Sequence, residues 1–520
     1  NNVRFEIYAH NGAKFDNILF YHELYTNSER HAKVDPDSRI IANGRLLQFT
    51  YAGVLTFRDS LCHLNGSLAN IYRNFEIPDG KKETFEINGT LYTSMDVCKI
   101  HPELSPQAFI DWITQDANKN FCDAYIDYCR HDVAGLLQVL QKYSKIMKDT
   151  IMPLAFKDLD ITNISPERFD PLTYLTLPSY SLACFKMAHH LRFGVEPAAM
   201  TKQNGGFMRK AMIGGRSISQ PGQYQDCVHY DVVGMYNAIM LNCQFPKGQP
   251  IVTEKEMPGK LGVYEVESFE YPEGFGIATI PGMKPDGRLD WFPKAVPNRV
   301  LHSVDIENCR NHGCVVNVGK GLYWQETYNP FKDFVKPFSD RKAEEDMKKS
   351  GEIPGKANNI VRECCKLMSN SLYGKLLERD HDDSFAFVSK LNGRYDPVEY
   401  SLYQERDLDD RVLRRYCDDS KGFYYSFTKN VSENVQRPIQ LGITVLAYSR
   451  ALLDGYIDQV GRNNVRMVET DSMAFERRFL PDSWVNGQGK NPSSTHPGIA
   501  SMIAIGKEPG NLKDELNGKT

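Results

Sequence analysis

No apolar run in this 520-residue chain approaches the ~20 residues that a membrane span requires, and no secretory signal pattern opens it. The chain is therefore expected to work in an aqueous, intracellular compartment without a membrane partner; cytoplasm, nucleus and mitochondrion all fit. Twelve cysteines are scattered along it, none with the two-residue spacing of a zinc knuckle. Cys364 and Cys365 are adjacent within a helical stretch, so free thiols in a reducing compartment are expected instead of disulfides. A surplus of basic residues is also missing, since the net charge is -4. That does not exclude a nucleic-acid partner, because carboxylate-rich metal sites and acidic outer surfaces can cancel a basic groove. There is no internal repeat and no low-complexity tract. The chain opens on Asn1 without a methionine and ends at Lys519 and Thr520 with no closing element, and is read as a segment of a longer protein.

What is present is enough chain for about three to four domains, with the 41% hydrophobic and 25% charged residues of a globular protein. Residues 1–150 form a first unit. It begins with a strand-like run from Val3 to Tyr8 and closes with a helical pattern from Asp123 to Tyr143, on which Tyr125, Tyr128, Asp132 and Leu136 share one face. Residues 151–206 are punctuated by Pro153, Pro166, Pro171, Pro178 and Pro197 and read as an irregular connector. In 207–250, a β-prone run from Cys227 to Val233 leads through Gly234 into a helix from Met235 to Leu241, leaving Asp231 at a strand end. Residues 251–337, rich in Pro, Gly and aromatics, suggest an inserted β-rich subdomain. A helical hairpin is predicted in 338–375, with arms at Phe338–Lys349 and Asn358–Tyr373. Residues 376–428 read as charged and irregular, with Asp407, Asp409 and Asp410 beside Arg411, Arg414 and Arg415. In 429–520, Gln440–Leu453 has helical periodicity, and Val465–Phe475 reads as two strands with a tight turn at Thr470-Asp471.

Nucleotidyl transfer from a nucleoside triphosphate needs divalent metals roughly 3.5–4 Å apart, held by carboxylates, together with positive charge on the phosphates. The pattern to seek is separated aspartates at strand ends plus a basic helix. Asp231 and Asp471 have that placement, suited to hard cations that prefer oxygen. Lys366, Asn370 and Tyr373 at i, i+4 and i+7 project from one helical face.

These residues match a known family. Asp231-Val-Val-Gly-Met-Tyr236-Asn resembles polymerase motif A. Lys366-Leu-Met-Ser-Asn370-Ser371-Leu-Tyr373-Gly374 matches motif B in full, and Glu469-Thr470-Asp471-Ser472 resembles motif C. Order and spacing agree with the family B DNA polymerases, most closely with the protein-primed branch of phages, viruses and linear plasmids. The resemblance implies a DNA-directed DNA polymerase, a nucleotidyltransferase of DNA replication that takes template-primer DNA, dNTPs and a terminal protein as primer. It also implies two Mg2+ or Mn2+ ions per active site. Asp231, Asp471 and the Val232 carbonyl would hold the metals and Lys366 would contact the triphosphate. Tyr236 would be the steric gate against a ribose 2′-OH, while Asn370 and Tyr373 would line the nascent base pair. Ser371, Gly374 and Thr470 would lie along the DNA.

The N-terminal unit resembles the family's 3′-5′ exonuclease. Asn11-Gly-Ala-Lys14-Phe15-Asp16 resembles its second motif and Tyr128-Cys-Arg-His-Asp132 its third, which implies metals on Asp16 and Asp132, a water oriented by Tyr128, and DNA contacts from Asn11 and Phe15. Read without that resemblance, Tyr128 and Asp132 also fit a packing tyrosine and a surface carboxylate four residues apart, the lesser reading beside Asn11, Phe15 and Asp16. The family's first exonuclease motif is not in this chain, so proofreading is expected to be incomplete. Ile213-Gly214-Gly215-Arg216 resembles the Gly-Gly element between exonuclease and polymerase regions, with Met212 where a tyrosine is expected. Ser60-Leu61-Cys-His-Leu64 resembles a single-strand contact motif. The implied fold is multidomain, α/β and α+β: a ribonuclease H-like exonuclease domain, then a right-hand polymerase with palm and fingers and two insertions, at 251–337 and 376–428. The long steps from Asp231 to Lys366 and from Tyr373 to Asp471 leave room for both. Gly506-Lys507 and Leu512-Lys-Asp-Glu515 resemble the approach to a Lys-x-Tyr element, beyond which a thumb is expected and not found. Two alternatives stand: an RNA-primed family B polymerase, which lacks the first insertion, and an impaired polymerase-like DNA-binding protein, to which Glu469 in place of the usual aspartate points.

Overall fold

The structure is a computed structural model that describes residues 5–26, 34–42, 45–77, 85–87, 90–92, 106–378, 383–391, 393–408, 412–416, 422–428, 434–435, 437–485, 499, 505–506 and 508–515. The chain divides into two compact units, residues 1–194 with 333–372, and residues 195–332 with 373–520. Among the described residues no helix is long and apolar enough to cross a membrane.

The first unit has a four-stranded sheet. Phe5–Ala9 runs parallel to Leu55–Asp59, which pairs antiparallel with Arg45–Tyr51 and that in turn with Val34–Ala42. Phe49 and Phe57 stack at 4.4 Å in its core beside Leu46. The predicted long helix spans Lys119–Ile146 and buries Phe121, Leu136, Val139, Leu140 and Tyr143, an apolar stripe at helical spacing. The connector is less irregular than its prolines suggest. Pro178 stands in the first turn of a helix over Leu177–Phe193, where its missing N–H leaves no bond unmade. The helical hairpin exists, with arms Lys332–Ser350 and Asn359–Leu377. Its turn is pinned by Glu345, a buried carboxylate that pairs with Arg341 and Lys348 and accepts the Asn358 N–H at 2.6 Å.

The second unit is built on a five-stranded antiparallel sheet. Its strands are β1 (Arg216–Ser219), β2 (Cys227–Val232), β3 (Val465–Thr470), β4 (Ser472–Glu476) and β5 (Leu512–Asp514), in the spatial order β5-β2-β4-β3-β1. Alternation decides its faces: Val228, Tyr230 and Val232 of β2 are buried, which turns Asp231 to the other side. Two helices belong to this unit. Helix α1 spans Met235–Asn242, and α2 spans Ile439–Val460 and is buried almost throughout, its charged Arg450 and Asp454 being paired. The β-rich segment forms its own antiparallel sheet, ordered Ile251–Thr253, Val318–Tyr323, Gly262–Val266 and Arg299–His302. Val263, Val300, Leu322 and Trp324 of this segment share a core with Ile439 and Ile443 of α2.

The reading of 376–428 as irregular is corrected. Strands Asp383–Leu391, Arg394–Tyr395, Val412–Tyr416 and Gly422–Thr428 form a sheet, accompanied by a helix over Pro397–Leu408. Val388, Phe423, Tyr425 and Phe427 supply its small core. Charged residues between the apolar ones hid this alternation. Asp407 is exposed on the helix, whereas Asp409, Asp410, Arg411 and Lys507 lie outside the described residues.

Candidate active site

Asp231 is the penultimate residue of β2 and Asp471 the turn residue between β3 and β4. The ladder brings them together: Ser472 is the register partner of Asp231, and the Val232 N–H donates to the Asp471 carbonyl at 2.8 Å. The turn is tight, with the Asp471 N–H bonded to the Glu469 carbonyl at 2.7 Å. Its other residue, Thr470, sits at φ 56°, a left-handed conformation that is rare for a β-branched residue and costs about 1–3 kcal/mol. After β2 the chain turns into α1 through Gly234 at φ 50°, where glycine avoids the same penalty.

Burial raises the Asp231 carboxyl to about 7, helped by the negative charges of Asp471 and Glu515 and opposed by Lys513. Burial and the charge of Glu469 also raise Asp471. Two adjacent carboxylates, each destabilised when ionised, form an electrostatic deficit that a cation removes. Among the described residues no group of three or more His, Cys, Asp or Glu side chains is arranged to hold a metal ion. The two carboxylates by themselves offer oxygen donors, which suit hard oxygen-preferring ions such as Mg2+ better than zinc.

Two residues that the sequence reading gave only to the approach of a Lys-x-Tyr element stand beside this pair. Lys513 of β5 is the register partner of Asp231, and its ammonium donates to Glu515 at 2.9 Å. Only the β5–β2 pairing reveals that Lys513 faces Asp231.

Tyr236, in the first turn of α1, stacks on Tyr373 with centroids 3.9 Å apart and an 18° interplanar angle. A small cavity beside it is lined by Gly214, Gly215, Ser449, Arg450 and Thr470 among others. Gly214 and Gly215 are exposed, and a Cβ on Gly215 would stand 3.0 Å from the Thr470 side chain. Val232 is buried. Lys366 is exposed and Asn370 half-buried on the Asn359–Leu377 helix, Ser371 hydrogen-bonds the Leu367 carbonyl one turn earlier, and Gly374 is exposed. The expectation that Arg216 contacts DNA is corrected. Its side chain is fully buried and paired with Asp454 at 2.7 Å.

In the first unit, Asn11 adopts φ 63° and Phe15 is 59% exposed, just before Asp16 opens a helix over Asp16–Thr26. That helix packs on the strands Arg45–Tyr51 and Leu55–Asp59, while the helix carrying Tyr128 and Asp132 packs on Leu68–Asn74. Asp16 is exposed, and Tyr128 and Asp132 are half-buried. Ser60 does not offer its hydroxyl to a strand: it is buried and hydrogen-bonded to His10 at 3.0 Å, so that expectation is also corrected. Leu61 is half-buried, its N–H held by Asp59 at 2.9 Å.

The fold is the mixed α/β one of Phi29 DNA polymerase. That enzyme's complex with primer-template DNA and incoming nucleotide superposes with a TM-score of 0.61 at 18% identity, covering 93% of this chain and 74% of that one. An orthorhombic crystal form of the same polymerase gives 0.61 at 17% identity over 98% of this chain and 76% of the other. Over residues 1–461 the sequence matches the family described as DNA polymerase type B, organellar and viral, and the chain belongs to that family. A DNA polymerase of Kluyveromyces lactis is 22% identical over 98% of this chain and 49% of its own length. One from Bovine adenovirus 2 is 23% identical over 51% of this chain and 28% of its own length. The chain thus spans about half the length of the first relative and less of the second.

Proposed function

We propose that this chain carries out template-directed DNA synthesis, extending the hydroxyl of a terminal protein by nucleotidyl transfer from dNTPs. The observation that carries this reading is the meeting of Asp231 with the Asp471 turn, where Ser472 pairs with Asp231 and the Val232 N–H bonds the Asp471 carbonyl; burial and the Asp471 charge hold Asp231 above its ordinary range, and burial and the Glu469 charge hold Asp471 above its own. In this reading residues 207–250 and 429–520 are the palm and 338–375 the fingers. Residues 251–337 and 376–428 are the insertions, and 1–150 is the exonuclease region.

Mg2+ or Mn2+, when held by Asp231, Asp471 and the Val232 carbonyl, would supply Lewis-acid polarisation of the phosphates and a more acidic primer hydroxyl. The protein's own groups do the rest. Lys366 neutralises triphosphate charge. Tyr236, braced by its stack on Tyr373, fills the space a 2′-OH would need, so deoxynucleotides are selected. Asn370 and Tyr373 line the base pair, and Gly214 and Gly215 let a DNA strand approach the backbone. In the exonuclease region Asp16 and Asp132 are the metal carboxylates and Tyr128 orients water. Protein priming is favoured over RNA priming because residues 251–323 make a sheet of their own instead of continuing the β1–β5 sheet.

The test uses the longest version of the protein that its gene encodes, incubated with Mg2+, labelled dNTPs and the terminal protein. A protein–dNMP adduct and its extension are expected. Asp471→Asn should abolish both while circular dichroism stays unchanged; undiminished incorporation by that variant would overturn the assignment.

A further inference from the structure

Charged side chains are almost never fully buried unless paired. The second unit buries several close together, and they join the inserted segment to the sheet. Arg450, on α2, is 4% exposed and Asp305, on the helix Ser303–Asn311 of the insertion, 1%. Arg450 Nε and Nη2 donate to the two Asp305 oxygens at 2.9 and 2.6 Å, a bidentate pair. Its remaining nitrogen, Nη1, donates to the carbonyl of Ile213, the residue immediately before Gly214 and Gly215.

A second clamp lies four residues further along α2. Asp454 accepts Arg216 of β1 at 2.7 Å, Asn308 of the same insertion helix at 2.7 Å and Arg462 at 2.9 Å. Arg216 is the register partner of Thr470. The two clamps therefore grip the chain on either side of Gly214-Gly215, and Gly215 lies so near Thr470, the strained residue that precedes Asp471, that a Cβ added to it would stand 3.2 Å from the Thr470 Cα. A left-handed β-branched residue persists only where its surroundings over-determine it.

We propose that Asp305 and Arg450 are positioning residues of the polymerase site. Asp305 orients Arg450, which through the Ile213 carbonyl holds Gly214 and Gly215 against Thr470 and so sets where Asp471 stands. One residue of the inserted segment, Asp305, then helps shape the active site, while the core of that segment stays outside this route. This inference rests on the polymerase reading above.

Arg450→Lys keeps the buried positive charge opposite Asp305, but a single ammonium cannot serve a bidentate carboxylate and the Ile213 carbonyl together. Val300→Ala is the matched control, because it opens a cavity in the core of the same segment without touching this route. Measured well below the melting midpoints, Arg450→Lys and Asp305→Asn should each lower kcat at saturating dNTP by about tenfold. Each should also weaken metal-free primer-template binding, read by fluorescence anisotropy, by roughly threefold or more. The double variant should be no worse than either single one, as expected of one coupled pair. Val300→Ala should lower the melting midpoint and leave both readouts unchanged. If Asp305→Asn does not fold, Arg450→Lys alone decides. Wild-type kcat and binding in Arg450→Lys would overturn the positioning role, as would an equal loss in Val300→Ala. A wild-type protein that extends no primer would instead overturn the polymerase reading.

Discussion

Removing the charge at Asp231 is expected to stabilise the metal-free protein at alkaline pH while abolishing its chemistry. An ordinary aspartate titrates near about 3.9, and burial, with the neighbouring Asp471 and Glu515, pushes Asp231 up to about 7. The folded state therefore holds this proton more tightly than the unfolded chain does. Stability falls as pH rises from about 4 to about 7 and stays reduced above that. Roughly three pH units at about 1.36 kcal/mol each set a ceiling of ~4 kcal/mol. Asp231 is only half-buried, so solvent screening reduces the expectation to ~2 kcal/mol. Asparagine carries no charge to desolvate. In EDTA at pH 8, Asp231→Asn should thus resist denaturant more than wild type by about that amount, whereas near pH 4 the two should converge. Adding Mg2+ at pH 8 should raise wild-type stability by mass action and raise that of the variant much less. The assay is urea denaturation followed by fluorescence across pH, with and without Mg2+. An Asp231→Asn protein no more stable than wild type at pH 8 without metal would refute the reasoning.

Tyr236→Ala removes one half of the 3.9 Å stack and opens the space beside Tyr373, so discrimination against ribonucleotides should fall by at least ~10-fold in kcat/KM ratio, measured by single-nucleotide incorporation. Unchanged selectivity would remove Tyr236 from the gate. Gly321→Ala would put a Cβ 2.3 Å from the Val263 carbonyl oxygen and 2.8 Å from the Tyr264 Cα, neither of which can move cheaply. It should destabilise the inserted sheet by about 1–3 kcal/mol and speed hydrogen exchange in Gly262–Val266 and Val318–Tyr323, while native exchange there would contradict the packing.

The features legible in the sequence were those that local periodicity writes into neighbouring residues. Val228, Tyr230 and Val232 alternate along β2, so a strand ending at Asp231 could be read directly. Lys366, Asn370 and Tyr373 follow helical spacing, and the Thr470-Asp471 turn is short enough to be marked by its own residues. The charges were misjudged. Arg216 reads as a surface cation, yet it is buried against Asp454, more than two hundred positions away. A burial of this kind depends on a partner supplied by another element, and no pattern within one element announces it. The same holds for Lys513 opposite Asp231 and for the sheet within 383–428, where charged positions interrupt the alternation. By itself the sequence determined which residues are the candidates for the chemistry, because motif spacing is a property of single strands and helices. Tertiary structure alone decided that Asp231 and Asp471 stand side by side and that Asp305 reaches Arg450. Those pairings hold because the collective burial of the β1–β5 sheet and α2 outweighs the cost of desolvating charges far apart in the chain.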